Sequence, residues 1–241
     1  MAATKLLVCS VFCGSEFDKF WLDLQRRQIA ETFGDFDHAV YLSYRANSEL
    51  FKDSMIVGYS KEGDKWEHRD GVRALTNYAQ QHPCYAGYLV LDSDAFPIAS
   101  GWKDTLEFYL ARFNKRYACA IRPENLDTFP HPCVVYARQA QALWFSYKST
   151  VNLLGQPVTD LACGFDEFFP LLKTNRKSLH PILATIYFDL FYHHGCGSRV
   201  FASRATNIGY YDQILARSSN TSDEIFEFLK ADPRGFIESL Y

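Results

Sequence analysis

The chain has 241 residues, 48% of them hydrophobic and 22% charged, with a formal net charge of -3. Such a chain builds one globular domain with a full core and carries no global basic signal for nucleic acid. It contains no stretch of the about 18 apolar residues that a membrane span requires. The seven cysteines, at 9, 13, 84, 119, 133, 163 and 196, include no CxxC pair. Zinc-finger and secreted-disulfide spacings are therefore absent, and reduced thiols in a cytoplasmic protein are expected.

In chain order, KLLVCSVFC (5–13) is a continuous apolar run bounded by Gly14 and Ser15, which predicts a strand buried on both faces. It is read as a first strand rather than a signal peptide, because no small-residue cleavage site follows it. Phe17, Phe20, Trp21 and Leu24 recur at the spacing of an amphipathic helix. HAVYLSY (38–44) is a second strand, and strand–helix–strand at this spacing begins a βαβ unit. HRDGVRALTNYAQQHP (68–83) predicts a helix with Asp70 as N-cap, ended by Pro83. YAGYLVLDSD supplies a third buried strand, 102–113 a helix, 116–125 a strand running into a proline turn, and 131–138 a short extended piece. Residues 142–149 read as helical, and 150–185 as one short helix followed by a basic loop. ATIYFDLFYHHGCGSR (184–199) reads as one aromatic strand ending at two histidines. A Thr221-x-x-Glu224 capping box precedes Ile225, Phe228 and Leu229 and predicts a C-terminal helix. The expected organisation is one α/β domain over 1–216 with a helical appendage over 217–241.

The apolar run Tyr88–Leu91 stops at Asp92 and Asp94, with Ser93 between them. A buried parallel strand delivers its C-terminal end to the ligand crevice of an open α/β sheet. Two carboxylates placed there repel and raise each other's pKa, and a divalent cation removes the repulsion. Hard cations such as Mg2+ and Mn2+ select carboxylate oxygens and keep positions open for phosphate. The alternative is a solvated turn, where aspartate is common. About 100 residues downstream, His193 and His194 end an aromatic stretch. Strand alternation sends their rings to opposite faces, so one can ligate while the other packs. Arg199 lies beyond the turn that follows.

The ordered set of an N-terminal strand–helix–strand, YLVLDSDAFPI in the middle and YHHGCGSR near the end resembles the GT-A glycosyltransferases over about residues 5 to 200. The segment LLKTNRKSLHPILATIYFDLFYHHGCGSR looks like the C-terminal half of small bacterial and phage-type members. The resemblance implies a Rossmann-like α/β/α sandwich with a mixed central sheet. It also implies a Mn2+ or Mg2+ that grips the diphosphate of a nucleotide sugar, of UDP type. Carried over, Asp94 is the direct metal ligand, and Asp92 meets the ribose or, through water, the metal. His193 or His194 completes the set. Val11, Phe12 and Cys13 hold the base, with Ser93, His68 and Asp70 near the ribose or diphosphate. Lys173, Arg176, Lys177 and Arg199 are candidates for countering charge on the leaving nucleoside diphosphate. Inverting transfer needs a carboxylate base: Asp166 is the first choice and Asp160 the second, although CGFDEFF departs from the family's usual acidic helix. Trp102 could stack on a sugar or acceptor. The acceptor class stays open among glycan, protein, small molecule and modified nucleic-acid base.

Three rival readings differ in their motifs. A haloacid-dehalogenase-type phosphatase also places D-x-D after an apolar strand, but normally at the start of its domain. A sugar nucleotidyltransferase usually has a Gly-rich basic loop after its first strand, which CGSEFDKFW lacks. A degenerate GT-A binding module predicts a broken D-x-D, and here the motif is intact.

Overall fold

The first strand, β1 (Leu6–Phe12), is buried along its whole length. Leu7, Cys9 and Val11 enter one apolar cluster and Leu6 and Val8 another, on the opposite face of the sheet. That two-sided burial is the reason for the unbroken apolar run. The computed structural model describes residues 4–64, 67–121, 130–143, 145–151, 157–163, 168–174, 185–194 and 225–240.

α1 (Asp18–Thr32) buries Trp21, Leu22, Leu24 and Ile29, together with two glutamines, Gln25 and Gln28. The expected face shifts slightly, since Phe17 and Phe20 are only partly buried. β2 (Phe36–Leu42) and β3 (Met55–Tyr59) follow, each parallel to its predecessor in the sheet. β3 is short and at best half-buried, and it gives too weak a pattern to be predicted. α2 (Glu67–Gln81) packs Val72, Leu75 and Ala79 on the β1 face that carries Leu7 and Cys9. Asp70 lies inside the first turn of α2 instead of capping it, because the helix already includes Glu67.

β4 (Gly87–Asp92) returns to pair with β1 on the side away from β2. β5 (Ala95–Pro97) and α3 (Trp102–Arg112) come next. Trp102, Leu106 and Leu110 of α3 join Ile29 of α1 on the second face. β6 (Tyr117–Ile121) and β7 (Pro130–Ala137) pair antiparallel, and β7 also pairs antiparallel with β4. The main sheet runs β10-β6-β7-β4-β1-β2-β3, with β10 (Phe168–Leu171) at its edge, and with α2 on one face and α1 and α3 on the other. This is a mixed, Rossmann-like α/β/α sandwich. The chain leaves β1 toward β2 and returns on the opposite side at β4, so the C-terminal ends of β1 and β4 flank a topological switch point, where open α/β sheets bind ligands.

Several expectations are corrected downstream. The 142–149 helix is replaced by β8 (Phe145–Val151), paired antiparallel over seven residues with β9 (Pro157–Cys163). FSYKSTV is rich in aromatic and β-branched residues, and long-range pairing decides over the short apolar run ALWF. In place of a helix, 168–171 forms β10 (Phe168–Leu171) at the sheet edge, parallel to β6. Pro170, which would break a helix, is tolerated on an edge strand. The expected basic loop falls largely on 175–184, outside the described residues. The aromatic segment is a hairpin of β11 (Thr185–Tyr187) and β12 (Phe191–His193), turned through Phe188 and Asp189 at φ of 53° and 57°. Among the described residues of the C-terminal region are two helices, α4 (225–231) and α5 (Pro233–Glu238). Asp232 caps α5 by accepting from the Gly235 amide at 2.9 Å. Phe226 and Leu229 are buried against Trp21, whereas Phe228 is exposed. The predicted capping box lies outside the described residues. Cys9, Cys13, Cys84, Cys119 and Cys133 are free thiols. No helix among the described residues is long and apolar enough to cross a membrane.

Candidate metal centre

Asp92 is the last residue of β4, and a two-residue turn, Ser93 and Asp94, leads into β5. This turn is held from beneath. The buried Gln25 amide donates to the backbone carbonyls of Asp92 (3.1 Å) and Ala95 (2.8 Å). Gln25 Oε1 in turn accepts from Ser10 Oγ at 2.9 Å. A single side chain of α1 thus fixes both ends of the turn and ties it to β1.

A second constraint comes from β12. It pairs antiparallel with β5, placing His193 opposite Ala95, and the His194 amide donates to the Asp94 carbonyl at 3.0 Å. His193 Nε2 consequently stands 3.5 Å from Asp92 Oδ2 and 3.4 Å from Asp94 Oδ1. On the other side His68, in the first turn of α2, donates from Nε2 to Asp92 Oδ1 at 2.9 Å. Gly71 lets α2 approach so closely: a Cβ there would lie 2.7 Å from the Tyr41 ring and 2.8 Å from Val11.

The electrostatics follow from this packing. Burial works against charge on Asp92, but His68 and then His193 override it and hold its carboxyl well below the usual range. Asp94 is lowered likewise, burial being outweighed by His193. Burial alone would discharge His193, yet Asp94 and Asp92 raise its pKa to about 9. An imidazolium therefore sits between the two carboxylates, in the position a cation favours. The ligand atoms of Asp92, Asp94 and His193 lie within 4.8 Å of one another. Two carboxylate oxygens and one imidazole nitrogen form a donor set that fits Mn2+ or Mg2+.

The structure separates the two histidines. His194 is fully buried, its Nδ1 is 2.8 Å from the Tyr192 hydroxyl, and its ring packs on Trp21 and Phe226. It is a core residue outside the Asp92–Asp94–His193 cluster, though its charge also helps to lower Asp94. Trp102 is also corrected: it is fully buried among Phe33, Tyr136 and Phe191, so it offers no face to an acceptor. Asp70 pairs with Arg69 (2.8 Å) and Arg73 (3.9 Å), without a described contact to the carboxylate pair.

Val11 pairs with Asp92 in the sheet, and Phe12 is buried beside it. Cys13 is half-buried, and its thiol is pushed upward by burial and by the charges of Glu67, Asp18, Asp92 and Asp94. Ser93 is buried in the turn. Lys173 forms a backbone bridge with Tyr187, whose ring stacks on His193 at 6.3 Å. Asp160 belongs to β9, opposite Lys148. Asp166, Arg176, Lys177 and Arg199 lie outside the described residues.

Gln25, Asp18, His131 and Cys133 were not anticipated. Asp18 accepts from the Gly14 and Ser15 amides and the Ser15 hydroxyl, closing the loop after β1. Gly14 has φ of +75° and packs against Arg45 and Ala46, so the loop requires glycine there. The available signal for Gln25 was a glutamine four residues after Trp21, on the buried face of an amphipathic helix.

No protein-family model matches the chain. No curated protein matches it either. Among solved structures, it is similar to the mannosyltransferase PcManGT from Pyrobaculum calidifontis, in complex with GDP-Man and Mn2+, at 10% identity and a TM-score of 0.39 over 57% of this chain and 45% of that one. It is also similar to the mannosyltransferase Ktr4p from S. cerevisiae, at 12% identity and a TM-score of 0.27 over 49% and 39%. A third similarity is to 4-diphosphocytidyl-2C-methyl-D-erythritol synthase from Anaerococcus prevotii, at 8% identity and a TM-score of 0.30 over 90% and 85%. The chain thus spans less than half the length of either mannosyltransferase.

Proposed function

We propose that the chain is a metal-dependent glycosyltransferase of the GT-A kind, moving a sugar from a nucleoside-diphosphate sugar, of UDP type, to an acceptor hydroxyl. The observation that carries this reading is the convergence of Asp92, Asp94 and His193 at the end of β4, beside the switch point of the sheet. Residues 1–216 are taken as the catalytic unit and 217–241 as its helical appendage.

Asp92, Asp94 and His193 would hold Mn2+ or Mg2+. Such a cation supplies positive charge to the donor diphosphate and to the departing nucleoside diphosphate. His68 and Gln25 keep the carboxylates oriented through the bonds described above. The first turn of α2 offers a positive dipole end to the anionic part of the donor. The end of β1, Val11 to Cys13, is assigned to the base. Lys173, Arg176 and Arg199 are assigned to the leaving group, and Asp166, or failing it Asp160, to accepting the acceptor proton.

Two rivals are less well supported. A phosphatase needs Asp92 as a nucleophile, yet its carboxylate accepts a 2.9 Å bond from His68 and faces His193. A nucleotidyltransferase loop after β1 needs amides free for phosphate, yet Asp18 already occupies those of Gly14 and Ser15.

The test is incubation with a panel of nucleotide sugars and Mn2+, with water as surrogate acceptor. Slow release of a nucleoside diphosphate, stopped by a chelator, is expected from one donor. Absence of nucleoside diphosphate release from every donor, or release of nucleoside monophosphate and sugar 1-phosphate instead, would contradict the assignment.

A further inference from the structure

Asp92 faces a second set of ligating groups. On the β7 side its carboxylate, an imidazole nitrogen of His131 and Cys133 Sγ lie within 4.8 Å of one another. The sheet brings them there. β7 runs antiparallel to β4 with Val134 opposite Leu91, so the start of β7 passes beside the end of β4. The ladder between β6 and β7 then slips: Cys119 pairs with Val135, but the next residue, Ala120, pairs with His131. Residues 132–134 thus have no partner on β6 in that register. Bulges of this kind occur beside active sites and re-aim side chains.

The three groups are buried or nearly so, with His131 6% and Cys133 0% exposed. The Cys133 amide donates to His131 Nδ1 at 3.1 Å. The lone pair of the neutral ring accordingly sits on Nδ1, on the Cys133 side. A cation held through Nδ1 would displace that amide bond. The donor set also differs in kind from its neighbour. Asp92, Asp94 and His193 offer mostly hard oxygen, whereas Asp92, His131 and Cys133 combine carboxylate, imidazole and thiolate, the mixture that zinc sites use.

We propose that Asp92, His131 and Cys133 form a second cation site, selective for a thiophilic divalent ion of the zinc class and sharing Asp92 with the first. The site does not depend on sugar transfer, so donor assays can fail while this proposal stands, and the reverse.

The experiment uses the full chain, stripped of metal by a chelator and titrated with Co2+ in place of Zn2+. Thiolate ligation gives an intense sulfur-to-cobalt charge-transfer band in the near ultraviolet. The band is expected in the unmodified chain and in Cys13→Ser and Cys119→Ser, and it should vanish in Cys133→Ser. Its absence from the unmodified chain, its persistence in Cys133→Ser or its loss in Cys13→Ser would overturn the proposal. Circular dichroism checks that Cys133→Ser folds. If it does not, His131→Gln decides: the Co2+ concentration that half-saturates the band should rise about tenfold or more, and an unchanged value rejects the site.

Discussion

Between the carboxylates of Asp92 and Asp94 sits His193 Nε2, 3.5 and 3.4 Å away, with a pKa raised to about 9. Metal binding needs that nitrogen unprotonated, so the cation must displace a proton below this pH. Mn2+ affinity should therefore rise up to about tenfold per pH unit from pH 7 toward 9 and level off above. Competition titrations against a chelating dye across that range will show it, and a flat profile would count against His193 as a ligand. His38 titrates in the other direction. It is buried beside Phe12 and Phe36, neither ring nitrogen has a hydrogen-bond partner, and burial, with the nearby Arg26, lowers its pKa to about 3. A depressed folded pKa means that the unfolded chain binds the extra proton. The stability is fully present above the unfolded value near 6.5 and is lost as pH falls toward 3. The slope reaches about 1.4 kcal/mol per pH unit. Urea unfolding at pH 7 and pH 5 should show this loss, and His38→Leu should reduce it. The D-x-D was legible because an apolar run ending in two carboxylates is an abrupt chemical change. Which of His193 and His194 meets it was not, because that depends on the register of β12 against β5, which only the fold supplies.

At the scale of elements, α1 and α2 act as struts for the turn after β4. Gln25→Leu keeps the volume but removes the donor to the Asp92 and Ala95 carbonyls and the partner of Ser10. Leaving such groups unsatisfied costs about 1–3 kcal/mol each. We expect a stability loss of about 2–4 kcal/mol by chemical denaturation and a Mn2+ affinity lowered about 10–100-fold. Unchanged metal affinity would mean that the turn holds its shape without the clamp. Gly71→Ala tests the other strut: the added methyl meets Val11 and Tyr41. It should cost about 1–3 kcal/mol by overpacking and draw His68 away from Asp92. The strands with continuous burial, β1 and β4, and the helices with clean periodicity were readable from sequence. β8, β9 and β10 were not, since their short sequences, FSYKSTV, PVTDLAC and FFPL, fit no clear helix or strand period until pairing between strands chooses.

Across the whole molecule, the C-terminal helices reach the candidate metal centre through the core. Phe226 packs edge-on to Phe17 and Phe20 and lies against Trp21 and His194. His194 is joined to Asp94 through its backbone amide and immediately follows His193. Phe226→Ala should cost about 3–5 kcal/mol and, by loosening β12, weaken metal binding as well. Global destabilisation with metal affinity intact would uncouple the C-terminal helices from the site. The sheet order puts the ends of β1 and β4 at the switch point, with Gln25, His68 and His193 converging there from three different elements. The most direct test is calorimetric binding of nucleoside diphosphates with and without Mn2+, for the unmodified chain and for Asp94→Asn. One nucleoside diphosphate is expected to bind only when Mn2+ is present. Asp94→Asn, folded as judged by circular dichroism, should lose more than about a hundredfold in affinity, beyond the effect of an outer-sphere partner. Binding that is indifferent to Mn2+, or an Asp94→Asn chain that binds as well as the original, would contradict it.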